Sequence, residues 1–346
     1  MKNREFLQLA KPHTKQFVGG SLYSEKLDGM RCVWDGGMTR GTPIEEVPFA
    51  NLTRGGHGKI ATGLWSRYGN PIFAPDYFLD SLPNFTLDGE LWLRRGAFQE
   101  TMSIVKDHIP GPGWKDIKYM VFDAIPIETL FQVGRINDPN YQIIIQPGIT
   151  NWAIATYKRR NCKLVVERPF ISQLKFLNLY LNQNHHVKLL EQNELPQNEF
   201  EAKNILFAKL EEYIALGAEG LIVRNRASYW QPKRCDEMLK VKKRLDDEAI
   251  VIGYIAAEVG KIHGKLGSLI VRYNHTEFNL SGFTDEEREF ADTHSVLWAY
   301  SNPGRTAPPQ VKSKHFPIGS KVTFSYSELS NDGTPCKAAY LRKRVD

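Results

Sequence analysis

The chain has 346 residues, 42% hydrophobic and 24% charged, which suits a soluble globular protein with room for two domains. A net charge of +6 and a pI near 8.9 favour a polyanionic partner. Four cysteines, Cys32, Cys162, Cys235 and Cys336, stand singly without a Cys-x-x-Cys pair, which argues against a disulfide framework or zinc ribbon and for a reducing, cytosolic setting.

The first residues lack the apolar core of a signal peptide, and no apolar run reaches the roughly 18 to 20 residues that span a bilayer. A soluble, non-exported protein is expected. Residues 1–20 are polar and basic, too short for a module of their own. Residues 23–34 read as a hairpin around Asp28-Gly29, with a second turn at Asp35-Gly36-Gly37. If the approach is extended, the period of two puts Lys26 and Asp28 on one face, Gly29 permits a sharp turn, and Arg31 opens the next strand. A reactive amine therefore stands beside an acid; the bland alternative is a solvated turn with an incidental charge pair.

Residues 38–63 carry glycines, Pro43 and several cations with no sustained period, and read as a loop or hairpin insertion. A compact turn follows over 64–72, with Ser66, Arg67 and Gly69. Residues 85–93 form a strand bearing Asp88-Gly89-Glu90, residues 96–106 suit a helix, and 118–123 read as a buried strand ending in Asp123, an acid that in most proteins only caps its strand. Residues 126–165 read as irregular; Lys158-Arg159-Arg160 within them suit either phosphate contact or simple solvation.

Apolar spacing over residues 200–216 predicts an amphipathic helix ended by Gly217, then a strand over 219–224. In the next strand, 238–242, the period of two turns Lys240 and Lys242 together to one face and Leu239 and Val241 to the other. The charged run 242–248 reads as an interdomain hinge. Short strands at 249–256, 269–273, 277–280 and 321–326, with a final segment at 337–345, suggest a small barrel of the oligonucleotide-binding type.

Taken together, Lys26-x-Asp28-Gly29-x-Arg31, Ser66-Arg67 with Gly69, Asp88-Gly89-Glu90, residues 119–123, Glu219-Gly220 and Lys240-Val241-Lys242 resemble, in order, the motifs of ATP-dependent DNA ligases within the covalent nucleotidyltransferase superfamily. The resemblance covers nearly the whole chain. It implies an α+β protein: an adenylation (ATP-grasp-like nucleotidyltransferase) domain of antiparallel sheets and helices at 1–244, then a small all-β OB-fold barrel at 245–346. It also implies a minimal two-domain ligase of bacteriophage or bacterial-accessory type, since neither a helical DNA-binding domain before Lys26 nor zinc and helix-hairpin-helix modules after the barrel are accommodated.

The residue types fit the implied chemistry. A lysine that attacks the α-phosphate of ATP must be neutral, yet a free lysine has a pKa of about 10.4, and lowering it by roughly three units takes about 4 kcal/mol. Arg31, Lys240 and Lys242 are the expected cationic neighbours, and the same charges would neutralise the phosphate in transfer. The resemblance makes Lys26, Lys240 and Lys242 catalytic. It assigns ATP contacts to Ser24, Glu25, Arg31, Arg67, Glu90 and Phe122, together with the two lysines. Phe122 would stack on adenine, although a core phenylalanine reads equally well there.

Glu219, Glu90 and Asp28 are the implied ligands of Mg²⁺ or Mn²⁺, hard cations that take oxygen donors. Arg342 and Arg344 fall where a last, basic motif would contact nucleic acid, but Cys336-Lys337-Ala338-Ala339 departs from the Pro-Arg-x-Pro of relatives. The implied partners are ATP and nicked duplex DNA, with no membrane, for a monomer in the cytoplasm serving DNA repair, replication or recombination. An RNA ligase or GTP-using capping enzyme shares the lysine chemistry, and a non-catalytic nucleic-acid-binding relative is the reading from another class.

Overall fold

The computed structural model describes residues 7–52, 56–126, 141–145, 153–157, 160–163, 168–243, 245–330 and 332–343. They pack as two units, Met1–Lys242 and Lys243–Asp346. The strands of the first unit are β1 (Leu9–Pro12), β2 (Leu22–Glu25), β3 (Met30–Asp35), β4 (Leu64–Ser66), β5 (Thr86–Trp92), β6 (Lys118–Asp123), β7 (Tyr141–Ile145), β8 (Ala153–Tyr157), β9 (Arg160–Lys163), β10 (Val187–Leu189), β11 (Asn193–Glu194), β12 (Leu221–Arg224) and β13 (Arg234–Val241). Its helices are α1 (Asp76–Leu79), α2 (Phe98–Lys106), α3 (Phe170–Tyr180) and α4 (Glu199–Ala215).

Two five-stranded sheets organise this unit, one in the order β1-β13-β12-β2-β11 and the other β10-β6-β5-β3-β4. Most pairs are antiparallel; β1 with β13 and β10 with β6 are parallel. The first sheet buries Tyr23, Leu221, Val223, Leu239 and Val241 against Ala202, Leu206 and Leu210 of α4. That helix is capped by Asn198, whose side chain accepts from the Phe200 and Glu201 N–H groups. At its other end Gly217, at φ +85°, lets the Gly217 and Ala218 N–H groups bond back to Ile214 and Tyr213. The second sheet packs Cys32, Trp34, Leu87, Leu91, Tyr119 and Val121 against Trp114 and the Phe176–Leu177 side of α3.

The hairpin expected over residues 23–34 does not form. β2 pairs with β11 and β12, whereas β3 pairs with β4 and β5, so the chain passes from one sheet to the other between them. Gly29 is needed there for a close approach, since a Cβ would lie 2.3 Å from the Leu91 carbonyl oxygen. The same crossing sets Lys26 between the sheets. Within the stretch read as irregular, β7, β8 and β9 form an antiparallel sheet; Lys158 and Arg159 lie outside the described residues.

The second unit holds a five-stranded antiparallel sheet in the order β16-β15-β14-β17-β20, from β14 (Leu245–Ala256), β15 (Leu266–Tyr273), β16 (Thr276–Leu280), β17 (Lys321–Tyr326) and β20 (Ala339–Lys343), beside the short pair β18 (Glu328–Leu329) and β19 (Pro335–Cys336). Two expectations change here. The unit is not all-β, because Asp292 caps α5 (Thr293–Ser301) by accepting from the Ser295 N–H at 2.7 Å. Nor is the sheet closed: among the described residues its edge strands β16 and β20 do not pair with each other. The acidic residues 246–248, read as part of a hinge, lie inside β14 and pair with β17.

Candidate active site

A cavity of about 230 Å³ lies between the two sheets of the first unit. Leu9 and Ala10 of β1, Ser24 and Glu25 of β2, Ile222 and Arg224 of β12, and Met238 and Lys240 of β13 line one side; Arg31 of β3, Glu90 of β5 and Phe122 of β6 line the other. Lys26, Arg67, Gln192 and Arg234 complete the charged and polar part of the wall.

Backbone geometry fixes the lysine. The Lys26 N–H donates to the Gly220 carbonyl at 2.9 Å. Gly220, at φ +151°, lies so near β13 that a Cβ would sit 2.4 Å from the Val241 oxygen. Neighbouring Glu219 is thereby placed between two ammonium groups: Lys26 Nζ donates to its Oε2 and Lys242 Nζ to its Oε1. Burial opposes ionisation of Glu219, yet Lys26 and Lys242 together hold its pKa below the usual value.

Deeper in, the Arg31 guanidinium makes a bidentate pair with Asp88, 2.6 Å at each bond, and lies 4.5 Å from the Phe122 ring centroid. Opposite Arg31 in the register is Glu90. Desolvation pushes the Glu90 carboxyl up to about 7; Arg31 and Lys26 pull it down, while Glu219 and Asp88 add to the rise. The register between β5 and β6 slips at Phe122, with Asp88 facing Asp123 and Gly89 facing Val121. Such a bulge re-aims side chains. Phe122 thus faces the cavity while buried Asp123 meets Arg224.

Comparison with known proteins agrees with this architecture. The DNA ligase OB-like domain description matches residues 259–344. A DNA ligase of Haemophilus influenzae is 26% identical over 340 residues, covering 98% of this chain and 92% of its own. A solved structure of a Lig E DNA ligase is 28% identical with a TM-score of 0.61, covering 98% of both chains. The chain is thus similar to DNA ligases along nearly its whole length. The mixed α+β fold read from the ligase motifs is the fold found.

Of the site residues expected from those ligase motifs, Ser24, Glu25, Lys26, Arg31, Arg67, Glu90, Phe122 and Lys240 all line one cavity. Glu25 is held by Arg95 in a bidentate pair at 2.8 Å, and Arg67 by Tyr68. Of the cationic neighbours expected for Lys26, Arg31 and Lys240 line the same cavity and Lys242 meets it through a shared carboxylate. Like charges repel, and carboxylates offset that here: Arg31 pairs with Asp88, while Lys242 and Lys26 share Glu219. Asp28, expected beside Glu219 and Glu90 as a metal ligand, instead accepts from Trp92 Nε1 and the Gly96 N–H, both at 3.1 Å. Accordingly, no group of three His, Cys, Asp or Glu side chains converges on a metal position among the described residues. Arg342 lies exposed on β20, in the second unit, and Arg344 lies outside the described residues.

Among the wall members that escaped the motif reading are β1 and the polar side chains of Arg224, Gln192 and Arg234. Residues 9–12 are too few to show a strand period. The one available signal for Arg224 was its place on the strand directly after Glu219-Gly220, opposite an acid-ended strand.

Proposed function

We propose that this ligase uses ATP to seal 5′-phosphate, 3′-hydroxyl nicks in duplex DNA. The observation that carries the reading is Lys26, bound through Glu219 to Lys242, at the edge of a cavity whose wall holds an aromatic ring, Phe122, and a fixed guanidinium, Arg31. Lys26 Nζ attacks the α-phosphate, a P–N bond forms, the bond to the pyrophosphate oxygen breaks, and the amine loses its proton. AMP then passes to the 5′-phosphate of the nick, and the 3′-hydroxyl displaces it.

Phe122 offers a face for adenine. Glu90, near half-protonation at neutral pH, is able to donate to or accept from a ribose hydroxyl. Lys240 and Lys242 supply positive charge for the phosphates. Glu219 and Glu90 suit Mg²⁺ or Mn²⁺ as one or two carboxylates that share the ion with substrate phosphates, rather than as a complete protein cage. Such an ion, when bound, neutralises phosphate charge. Arg342 and Arg344 are assigned to the DNA. The setting we assign is a cytoplasmic monomer that acts in repair, replication or recombination; no helix among the described residues is long and apolar enough to cross a membrane.

The test is mass analysis after incubation with ATP and Mg²⁺, followed by transfer to nicked DNA. One AMP on Lys26 is expected in the wild type and none in Lys26→Ala, with sealing lost by at least about a thousandfold, as for loss of a covalent nucleophile. An adenylate on Lys26→Ala would overturn the assignment, and labelling by GTP alone, or sealing of RNA alone, would redirect the reading to capping or RNA ligation.

A further inference from the structure

Gln8, just before β1, has 0% exposure, and every polar group of its side chain is engaged. Its Nε2 donates to Cys235 Sγ at 3.2 Å, and its Oε1 accepts from Arg224 Nη2 at 3.2 Å. Its backbone carbonyl accepts from Arg31 Nη2 at 3.3 Å. One buried residue therefore bonds two guanidinium groups on opposite walls of the cavity. Arg31 lies over Phe122, while Arg224 pairs with Asp123, the next residue along, and lies 3.8 Å from the Phe170 ring centroid. Gln8 is not itself in the cavity wall.

We propose that Gln8 is a positioning residue for the nucleotide: without touching it, Gln8 orients Arg224 through its side chain and Arg31 through its carbonyl, and so sets the faces between which the base and ribose lie. This rests on the adenylation reading above. A guanidinium has five donors in a fixed plane, so the plane is set only when acceptors meet it from more than one direction. Asp123 meets Arg224 from one side and Gln8 from another. A methionine at position 8 keeps the bulk and removes both side-chain hydrogen bonds.

The test measures lysyl-AMP formation against ATP concentration for wild type, Gln8→Met, Gln8→Glu and Cys235→Ala, with a thermal melt of each. Gln8→Met is expected to raise the KM for ATP about tenfold, the scale of one hydrogen bond to a charged group, while the rate at saturating ATP stays within about twofold. Gln8→Glu keeps an acceptor for Arg224 and should hold KM near the wild type. Cys235→Ala breaks the other end of the carboxamide and should lower the melting temperature without moving KM. A wild-type KM in Gln8→Met, whatever its melting temperature, overturns the proposal, as does an equal rise in Cys235→Ala. If Gln8→Met does not fold, Gln8→Asn, one methylene too short to reach Arg224, makes the same comparison. Absence of lysyl-AMP on the wild type defeats the adenylation reading instead, so the two failures are distinct.

Discussion

Two sets of ion pairs flank the same cavity at different depths. Lys26, Glu219 and Lys242 are 20 to 26% exposed in their side chains, whereas Asp123 and Arg224 are 1% and 5% exposed. The partly wet set has one carboxylate shared by two amines, an arrangement in which water screens part of each interaction and one partner can be exchanged for another. The dry pair has no such freedom, because separating it would leave a charge without solvent or partner. Fixed geometry is thus built from the deep pair, and on the proposed function the chemistry falls to the shallow one.

The sharpest way to break this contrast is to remove half of the deep pair. Asp123 sits above its ordinary pKa because burial outweighs the pull of Arg224, so the pair already has a desolvation cost. Asp123→Ala leaves Arg224 buried and should destabilise the first unit by about 3 to 5 kcal/mol. Denaturant unfolding checks this; a loss below about 1 kcal/mol would mean that water reaches the pair after all.

A second buried acid extends the comparison to a carboxyl that pairs with no cation among the described residues. Asp35 is 0% exposed and is met by Thr39 Oγ1 at 2.5 Å and Trp65 Nε1 at 3.0 Å. Burial raises its pKa to about 6, against those hydrogen bonds. Since the folded value lies above the unfolded one, the folded state holds the proton more tightly. Its stabilising contribution is complete below about pH 4 and is lost as pH rises through 6. Measured against Asp35→Asn, the wild type should lose about 2 kcal/mol of relative stability between pH 4 and pH 6.5, most of a shift of about two pKa units at 1.36 kcal/mol each. A flat difference between the two proteins across that range would exclude a raised Asp35.

The legible part of the site was what short spacing encodes. Lys240, on β13, was turned to the site by its period and Glu219-Gly220, just before β12, by its likeness to a ligase motif; Glu219 meets Lys26, and Lys240 lines the same cavity. What resisted was pairing at long range. Nothing local shows that β2 and β3 join different sheets, because Asp-Gly is as good a signal for a hairpin as for this crossing. Nor does spacing tell which acid neutralises which cation. Arg31 looked like a neighbour for Lys26 until Asp88, 57 residues away, proved to hold it. The helix α5 has a low amphipathic contrast in THSVLWAYS, so its Asp292 cap was the only cue. Ser24, Arg67 and Phe122 gained a common cavity only once both sheets were assembled.

The smallest expected effect on folding comes from the shallow set, and it is the one that most separates stability from chemistry. In Glu219→Gln the two ammonium groups keep a hydrogen-bonding neighbour but lose its charge. The three side chains are about a quarter exposed, so solvent screens most of the loss, and stability at pH 7 should fall by no more than about 1 kcal/mol. The sign follows from the lowered pKa of Glu219: its contribution is present above the unfolded value near 4.5 and vanishes as pH falls through the lower folded value. The wild type and the variant should therefore converge in acid. On the proposed function, sealing should nonetheless drop by more than about a hundredfold, because the variant would remove the carboxylate proposed to hold Lys26 and Lys242 at the α-phosphate and to offer oxygen to a divalent ion. If Glu219→Gln proved as destabilising as Asp123→Ala, the shallow set would be a structural pair like the deep one, and the division of labour between them would fall.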